Sequence, residues 1–277
     1  MLGYREYVHA PTQAPTRTPP AAGPDASSDV TPASPRAPQA LRRRWPRLSW
    51  RRSKSWDEHV ADVEKLTDTP GFRRLRQQLL TLARLTPEDR VLDIGAGTGL
   101  LALAAAPRVE HVTALDISPA MCRRLTAKAA ELARPNVDVL VANATELPVP
   151  DGSVDVVLSN YCFHHVSDAD KRRGLGEIAR VLRPGGRLVI GDMMFDAGLR
   201  GTRERALVLR FVRSMLRRGP AGVLRLLKNA VRLASGRGEH PASVDWWQQA
   251  LRDAGFSGVE VWALDHEGGI AVARRDN

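Results

Sequence analysis

From residue 90 onward, short apolar stretches alternate with longer stretches in which apolar residues recur every three or four positions. The short stretches are typical of strands buried in a parallel sheet, and the longer ones are typical of amphipathic helices. Strands are predicted near 90–94, 111–116, 137–141, 154–159 and 187–192. Helices are predicted near 98–106, 119–133 and 168–182. Strands that alternate with helices in this way form a parallel sheet with right-handed crossovers.

The last part of the chain departs from this alternation. A helix over 246–254 ends at Gly255, and two strands follow at 259–264 and 270–273. Because only a short link, 265–269, joins these strands, we expect them to pair antiparallel. The fold class is therefore α/β, with a mostly parallel sheet and an antiparallel final hairpin.

Two further segments have helical patterns. Between residues 56 and 84, apolar residues recur at helical spacing, and Pro70-Gly71 divides the run into two predicted helices. Residues 199–238 are predicted to form two cationic amphipathic helices separated at Gly219-Pro220. This second segment interrupts the strand and helix order between the fifth strand and the final hairpin.

The segment Val91-Leu92-Asp93-Ile94-Gly95-Ala96-Gly97-Thr98-Gly99 runs from a predicted strand into three alternating glycines. Glycine allows a tight turn and a close approach of the main chain to a ligand, and the helix that follows offers unpaired N–H groups. A dinucleotide loop has the spacing G-x-G-x-x-G, whereas here it is G-x-G-x-G with an acid two residues ahead. That carboxylate suits a ligand with a cationic end better than a pyrophosphate, which disfavours a dehydrogenase. The alternative is a turn that only packs.

The next predicted strand, 111–116, ends in an acid. Asp116 lies about 20 residues beyond the glycine loop, where a carboxylate can accept hydrogen bonds from ribose hydroxyls. The simpler alternative is a carboxylate in water at the end of a strand.

Five segments, in this order, resemble the motifs of the class I S-adenosylmethionine-dependent methyltransferases. They are 91–99, Asp116, 143–148, 155–160 and 182–186. The resemblance covers about residues 55–275. Within the family, the chain resembles the small-molecule group that includes the quinone-biosynthesis C-methyltransferases. It implies a Rossmann-like, doubly wound, seven-stranded sheet, a helical lid at 199–238 and S-adenosylmethionine as cofactor.

The resemblance also implies how the cofactor would be bound at its methionine end. The main chain of Gly95, Ala96 and Gly97 would face this end, and Asp93 would attract its ammonium group. Asn160, at the end of the fourth predicted strand, would lie near the reactive methyl group.

At the nucleoside end, the resemblance implies that Asp116 accepts from both ribose hydroxyls and that Ile117 packs on the adenine. Asn143 stands where this family frequently has aspartate, and its side-chain carbonyl can still accept from the adenine amino group. The Ala144 N–H would donate to the ring.

The residues after Asn160 give candidates for the acceptor side. His164 and His165 are candidates for a general base, because histidine titrates near neutral pH. His165 could instead cap the following helix and hold the loop. Tyr161, together with Trp56 and Phe211 in the flanking helices, is a candidate for contact with the acceptor.

Other methyltransferase chemistries are disfavoured by the same segment. The acid or Asn, two prolines and aromatic residue that are typical of DNA amino-group methylases are absent after Asn160. Cys162 lacks the preceding proline of RNA cytosine-carbon methylases, so covalent catalysis is not expected. The two cysteines, Cys122 and Cys162, have no disulfide or zinc-site spacing, and no metal is predicted.

The net charge of +10 is unevenly distributed along the 277 residues. Residues 1–56 carry +7 and residues 199–238 carry +10, whereas the remainder carries −7. Residues 10–40 contain eight prolines and are predicted to be disordered, which makes 1–54 a tail and 55–277 the methyltransferase domain. Residues 41–52 interleave arginine with tryptophan, which suits an anionic membrane surface or nucleic acid, although a solvated linker has the same composition.

We therefore expect an enzyme that methylates a small, apolar or aromatic acceptor. No apolar run is long enough to cross a bilayer and no secretory signal is evident, so we expect a cytoplasmic protein with peripheral membrane contact through the basic tail and lid. The alternatives are an RNA or protein methyltransferase docked by its basic segments, and a nucleotide-binding module without catalysis. The acidic body disfavours nucleic acid as a partner.

Overall fold

The computed structural model describes residues 56–195 and 239–276, with a few positions between 205 and 220. The predicted tail, most of the predicted lid and the candidate acceptor residue Phe211 lie outside the described residues. Within the part of the chain that is described, no helix has both the length and the apolar character needed to span a membrane.

Seven strands form one sheet in the order β3-β2-β1-β4-β5-β7-β6. The strands are β1 (Arg90–Ile94), β2 (His111–Asp116), β3 (Val137–Val141), β4 (Val154–Asn160), β5 (Leu182–Met193), β6 (Phe256–Ala263) and β7 (Gly268–Arg275). The first five run parallel, and β7 pairs antiparallel with both β5 and β6. The predicted fold class is confirmed, including the reversed final hairpin.

The helices begin and end close to their predicted limits, with one exception. They are α1 (Val60–Thr67), α2 (Pro70–Ala83), α3 (Ala102–Ala105), α4 (Pro119–Glu131), α5 (Asp168–Val181) and α6 (Val244–Asp253), with 3-10 turns at Trp56–His59, Ala106–Arg108 and Phe163–His165. The helix predicted over 98–106 is shorter because Gly97 and Gly99 have positive φ angles, which a right-handed helix excludes. The predicted division of this region into two helices at Pro70-Gly71 is confirmed, because α1 ends at Thr67 and Pro70 begins α2, where a missing N–H costs nothing.

Alternate residues of the central strands face opposite layers of the core. In β1, Leu92 and Ile94 pack into one apolar cluster with α5 and α6, and Val91 packs into the other with α2 and α3. A sheet that is covered on both faces is the expected environment for parallel strands. The core therefore holds the strand ends in fixed positions.

The sheet order places a crevice between two particular strands. The chain leaves β1 toward β2 and β3 and then returns to β4 on the other side of β1. In open α/β sheets, ligands bind at the carboxyl ends of the strands where the order reverses in this way. The loops that follow β1 and β4 should therefore form the functional site.

Candidate functional site

The glycine loop after β1 is held by the main chain of β2. The N–H groups of Gly95 and Ala96 both donate to the carbonyl of Leu115, at 2.8 and 2.9 Å. Gly95 has φ +69°, and a Cβ atom at this position would collide with the Cys162 thiol, which follows β4. The loops after β1 and β4 are thus in direct contact, and this contact requires glycine.

Helix α1 lies over the loop. A Cβ atom at Gly97 would lie 3.8 Å from a methyl group of Val63, and the φ angle there is +54°. Helix α1 thus covers part of the glycine loop.

Asp93 is buried beneath the loop. Its Oδ2 atom accepts from the N–H of Ala102, the first residue of α3, at 2.9 Å. Burial raises the pKa of Asp93 to about 7, although the Ala102 hydrogen bond opposes this, and the nearby Asp116 raises it further. A cationic group that entered the crevice would stabilise the ionised form of this carboxyl.

Asp116 faces the same loop from the end of β2. Its two oxygens accept from the N–H groups of Gly97 and Ser118, both at 2.8 Å. Burial raises the pKa of Asp116, and its main-chain hydrogen bonds partly oppose that shift. The structure thus brings Asp93 and Asp116 together at one edge of the sheet.

Asp57 is a third carboxylate of the site, and sequence reasoning missed it. It accepts from the Ser118 hydroxyl at 2.5 Å and from the Ala120 N–H at 3.1 Å, at the start of α4. The Ser118 hydrogen bond is the main reason that the pKa of Asp57 is lowered. These contacts attach the first 3-10 turn to the site, which sets the position of its neighbour Trp56.

The residues predicted to contact adenine lie at the ends of β2 and β3. Ile117, Asn143 and Ala144 are each half-buried. The Asn143 Oδ1 atom accepts from the Thr145 N–H at 3.1 Å. A carbonyl oxygen has two lone pairs, so this turn still leaves Asn143 able to accept from an adenine amino group.

Asn160 ends β4 beside Gly191 of β5. Its Oδ1 atom is buried and has no hydrogen-bond partner in the described part of the chain. A Cβ atom at Gly191 would lie 3.0 Å from this oxygen. A buried acceptor that lacks a donor is rare in proteins, and here it fits a donor supplied by a ligand in the crevice.

The segment after Asn160 turns sharply and presents aromatic side chains. Tyr161 has φ +52°, which is uncommon for a residue other than glycine, and its N–H donates to Gly191 at 2.7 Å. The Tyr161 ring packs against Phe72 at 5.1 Å and against the edge of His164 at 5.7 Å between ring centroids. Burial raises the pKa of the Tyr161 phenol, so it stays protonated at neutral pH.

His164 is buried and held by Asp192, a residue that sequence reasoning missed. The Nδ1 atom lies 2.5 Å from Asp192 Oδ1. Asp192 also accepts from the N–H groups of Phe163, His164 and Met193, at 2.7, 3.1 and 2.7 Å. Asp192 ends the apolar part of β5, so the same strand-end rule that selected Asp116 could have found it.

His165 lies between two rings, 4.5 Å from Trp56 and 3.7 Å from His164 by ring centroids. The alternative that His165 caps the next helix is wrong. The N-cap of α5 is Ser167, whose hydroxyl accepts from the Asp170 N–H, because a short side chain reaches these donors and an imidazole two residues earlier does not. Trp56 and Tyr161 are therefore both beside the histidine pair.

Cys162 does not have the environment of a nucleophile. Its thiol lies against Gly95, and burial raises the pKa of Cys162, which disfavours the reactive thiolate. This agrees with the expectation that covalent catalysis does not occur.

Comparison with known proteins finds methyltransferases among the proteins similar to this chain. Residues 91–186 match a family model described as a methyltransferase domain. The chain is 37% identical to 27-O-demethylrifamycin SV methyltransferase of Amycolatopsis mediterranei, over 54% of this chain and 54% of that protein. It is 35% identical to demethylmenaquinone methyltransferase of Renibacterium salmoninarum, over 47% of this chain and 51% of that protein. The chain thus spans about half the length of these curated relatives.

A solved structure shows the same fold. The crystal structure of a SAM-dependent methyltransferase from Aquifex aeolicus aligns with a TM-score of 0.55 at 22% identity, covering 78% of this chain and 97% of that one. S-adenosylmethionine is the cofactor of proteins of this kind, and the loop, the carboxylates and Asn160 described above fit it. Residues 91–186 therefore form a methyltransferase domain, and the chain has the fold of a SAM-dependent methyltransferase.

Proposed function

We propose that this protein methylates a small, apolar or aromatic acceptor by in-line displacement at the sulfonium carbon of S-adenosylmethionine. One juxtaposition carries the proposal. The glycine loop and the carboxylates Asp93 and Asp116 adjoin an aromatic segment, 161–165, with the unpartnered Asn160 oxygen between them.

The cofactor, when bound, supplies a methyl group that already has an excellent leaving group. The protein therefore has to orient the acceptor and exclude water. Asp93 would bind the ammonium group and Asp116 the ribose hydroxyls, while Ile117, Asn143 and Ala144 would line the adenine. Helix α1 above Gly97 would restrict the entry of water.

Aromatic side chains support an apolar or aromatic acceptor. Trp56, Phe72, Tyr161 and the two histidines form a chain of ring contacts along one side of the site. Flat acceptors stack on such surfaces with specific geometry. The two relatives described above are named for small-molecule acceptors, 27-O-demethylrifamycin SV and demethylmenaquinone.

His164 is our candidate for the group that takes a proton from the acceptor. Because Asp192 holds Nδ1, the proton of the neutral ring stays on that nitrogen and Nε2 is left as the acceptor. A pair of this kind removes a proton from a hydroxyl more easily than from carbon, so we favour an acceptor oxygen. His165, between His164 and Trp56, would then contribute to the wall of the site.

A direct test is to incubate the protein with methyl-labelled cofactor and a panel of phenols, hydroquinones and hydroxylated macrocycles. We expect label in at least one small molecule and none in RNA or in protein added to the same mixture. Label in RNA or protein would favour the docked macromolecular methyltransferase. Cofactor binding without transfer to any acceptor would favour the non-catalytic module.

We also propose that the enzyme is cytoplasmic and that its lid, residues 199–238, contacts an anionic membrane surface. Leu209 and Leu216 are 49% and 54% exposed, and Arg213 and Arg217 beside them are also exposed. Apolar and cationic side chains together suit a lipid headgroup layer. Leu216→Glu should reduce sedimentation with phosphatidylglycerol vesicles, whereas Leu132→Glu, at a site 50% exposed directly after α4, should not. Equal binding by both variants would contradict this contact.

A further inference from the structure

Three side chains with metal-binding chemistry converge beside the acceptor segment. One ligand atom from each of His164, His165 and Glu239 lies within 4.8 Å of the others. Adjacent histidines and a glutamate far along the chain have no recognisable ligand spacing, which explains why the sequence predicts no metal there. These three residues come together only when the chain folds.

His164 has the environment of a metal ligand. Histidines that bind metals usually donate their other ring N–H to a carboxylate, which fixes the ring and makes the ligand nitrogen more basic. Here Asp192 occupies Nδ1 of His164, so Nε2 is the nitrogen available to an ion. Three main-chain N–H groups also hold Asp192, so this carboxylate cannot rotate away.

Glu239 is brought to the histidines by its neighbour. The N–H of His240 donates to the carbonyl of His164 at 2.6 Å, and the carbonyl of His240 accepts from Lys171 Nζ at 2.5 Å. Lys171 is only 1% exposed, and its ammonium group also binds Asp168 at 2.7 Å. A buried lysine that binds the main chain is uncommon, and here it fixes the backbone position from which the Glu239 side chain extends.

We propose that His164, His165 and Glu239 form a binding site for a divalent transition-metal ion. Two imidazoles and one carboxylate suit Zn²⁺, Co²⁺ or Fe²⁺ and not Mg²⁺ or Ca²⁺, which prefer oxygen ligands alone. Ligand atoms on a tetrahedral zinc ion are roughly 3.3 Å apart, from bond lengths of about 2.0 Å. The separation of up to 4.8 Å can therefore close by side-chain rotation, for which the exposed Glu239 has the freedom.

Nε2 of His164 is used both by the proposed metal site and by the proposed proton transfer. An ion on Nε2 of His164 would prevent that atom from taking a proton, so the ion would inhibit proton removal and not assist it. The metal site itself does not depend on methyl transfer, because neither cofactor nor acceptor is needed to form it.

The test is a titration of the untagged, chelator-treated full chain with Co²⁺, followed by its visible absorption. We expect one ion per chain, with the stronger absorption of a four- or five-coordinate ion that has nitrogen ligands. Glu239→Gln and His165→Ala should each weaken binding at least tenfold, and Asp192→Asn should weaken it by about 10- to 100-fold. Because Glu239 is exposed, Glu239→Gln should fold normally.

The matched control is His111→Ala. His111 also pairs with a carboxylate, Asp138 at 3.4 Å, but at a different place in the sheet. Its replacement should leave the Co²⁺ titration unchanged. Absorption equal to that of free Co²⁺, or equal affinity in the wild type and the Glu239→Gln and His165→Ala variants, would overturn the proposal. Neither result would affect the methylation assay described above.

Discussion

The two parts of the crevice are built in different ways. The part around the glycine loop is proposed to bind the cofactor and is called the cofactor side, and the part around the aromatic segment 161–165 is proposed to bind the acceptor and is called the acceptor side. On the cofactor side, the main chain makes most of the contacts: Gly95 and Ala96 bind Leu115, and Gly97 binds Asp116. On the acceptor side, side chains from separate segments meet: Trp56 reaches His165, and Asp192 holds His164. A site made from main chain tolerates little change at its glycines, whereas a site made from side chains can vary with the acceptor.

The largest effect should come from breaking the cofactor side. Gly95→Ala adds a Cβ atom that collides with the Cys162 thiol at a φ angle of +69°. We expect S-adenosylhomocysteine binding to fall at least 100-fold by calorimetry, because the loop must move away from its ligand. Gly152→Ala is the control, since Gly152 also has a positive φ angle but no atom within 4 Å of the added carbon. Binding by Gly95→Ala within threefold of the wild type would contradict this account.

The acceptor side should respond in turnover and not in cofactor affinity. Asp192→Asn removes the carboxylate that orients His164, and base catalysis typically contributes about 10²- to 10⁴-fold. We expect kcat to fall about 100-fold, with S-adenosylhomocysteine affinity within threefold of the wild type. His164→Asn should cause a similar loss, and the double variant should be no worse, because the two residues act as a unit. Additive losses would show that they act separately.

Cofactor affinity should depend on pH through Asp93. Its pKa of about 7 in the free protein means that binding an ammonium group must release a proton below that pH. We expect affinity to fall up to about tenfold for each pH unit below 7, and Asp93→Asn to bind weakly with a flat profile. Calorimetry in buffers of different ionisation enthalpy measures the proton directly. A wild-type profile that is flat from pH 5 to 7 would exclude this role.

The Asp93 carboxyl also affects the stability of the free protein. Here the dependence is opposite: cofactor affinity rises with pH, whereas stability falls with pH. The folded state holds the Asp93 proton more tightly than the unfolded chain does, because the pKa is raised from 3.8 to about 7. The contribution of Asp93 to the free energy of unfolding should therefore decrease as the pH rises between these two values. In Asp93→Asn, that decrease should be absent from urea titrations.

A smaller effect is expected at the aromatic wall. Trp56→Leu removes the ring that packs at 4.5 Å against His165. Aromatic contacts contribute about 0.5–1.5 kcal/mol, so the KM for the acceptor should rise roughly two- to tenfold, with the cofactor KM unchanged. Leu66→Ala, at a site 52% exposed on α1, should change neither constant. A larger change in cofactor KM than in acceptor KM would place Trp56 on the cofactor side.

The same contrast explains which features could be predicted. The strands, the glycine loop and Asp116 follow from contiguous patterns, because main-chain geometry depends on nearby residues. The helix predicted over 98–106 was too long because apolar periodicity ignores the φ angles that glycine adopts. The alternative that His165 caps α5 overlooks the better N-cap residue, Ser167, two positions later.

Some residues beside the aromatic segment, namely Asp57, Asp192 and Glu239, were not predicted from the sequence. Asp57 binds Ser118, and His240 carries Glu239 to His164, across long separations in sequence. The periodicity of the sequence does not predict such contacts, because they depend on how distant segments pack against the sheet. Asp192 is the exception, because its position at the end of an apolar strand was a usable signal.

The most direct test of the central claim is a calorimetric titration of the wild type and Asp116→Ala with S-adenosylhomocysteine. Hydrogen bonds to charged groups contribute about 1.5–3 kcal/mol each, so loss of the carboxylate should weaken binding about 30-fold or more. Asp138→Ala, in the exposed β3, should bind as the wild type does. We predict one site per chain that is disrupted only by the Asp116 variant. The absence of heat in the wild type, or equal affinities in all three proteins, would contradict the account.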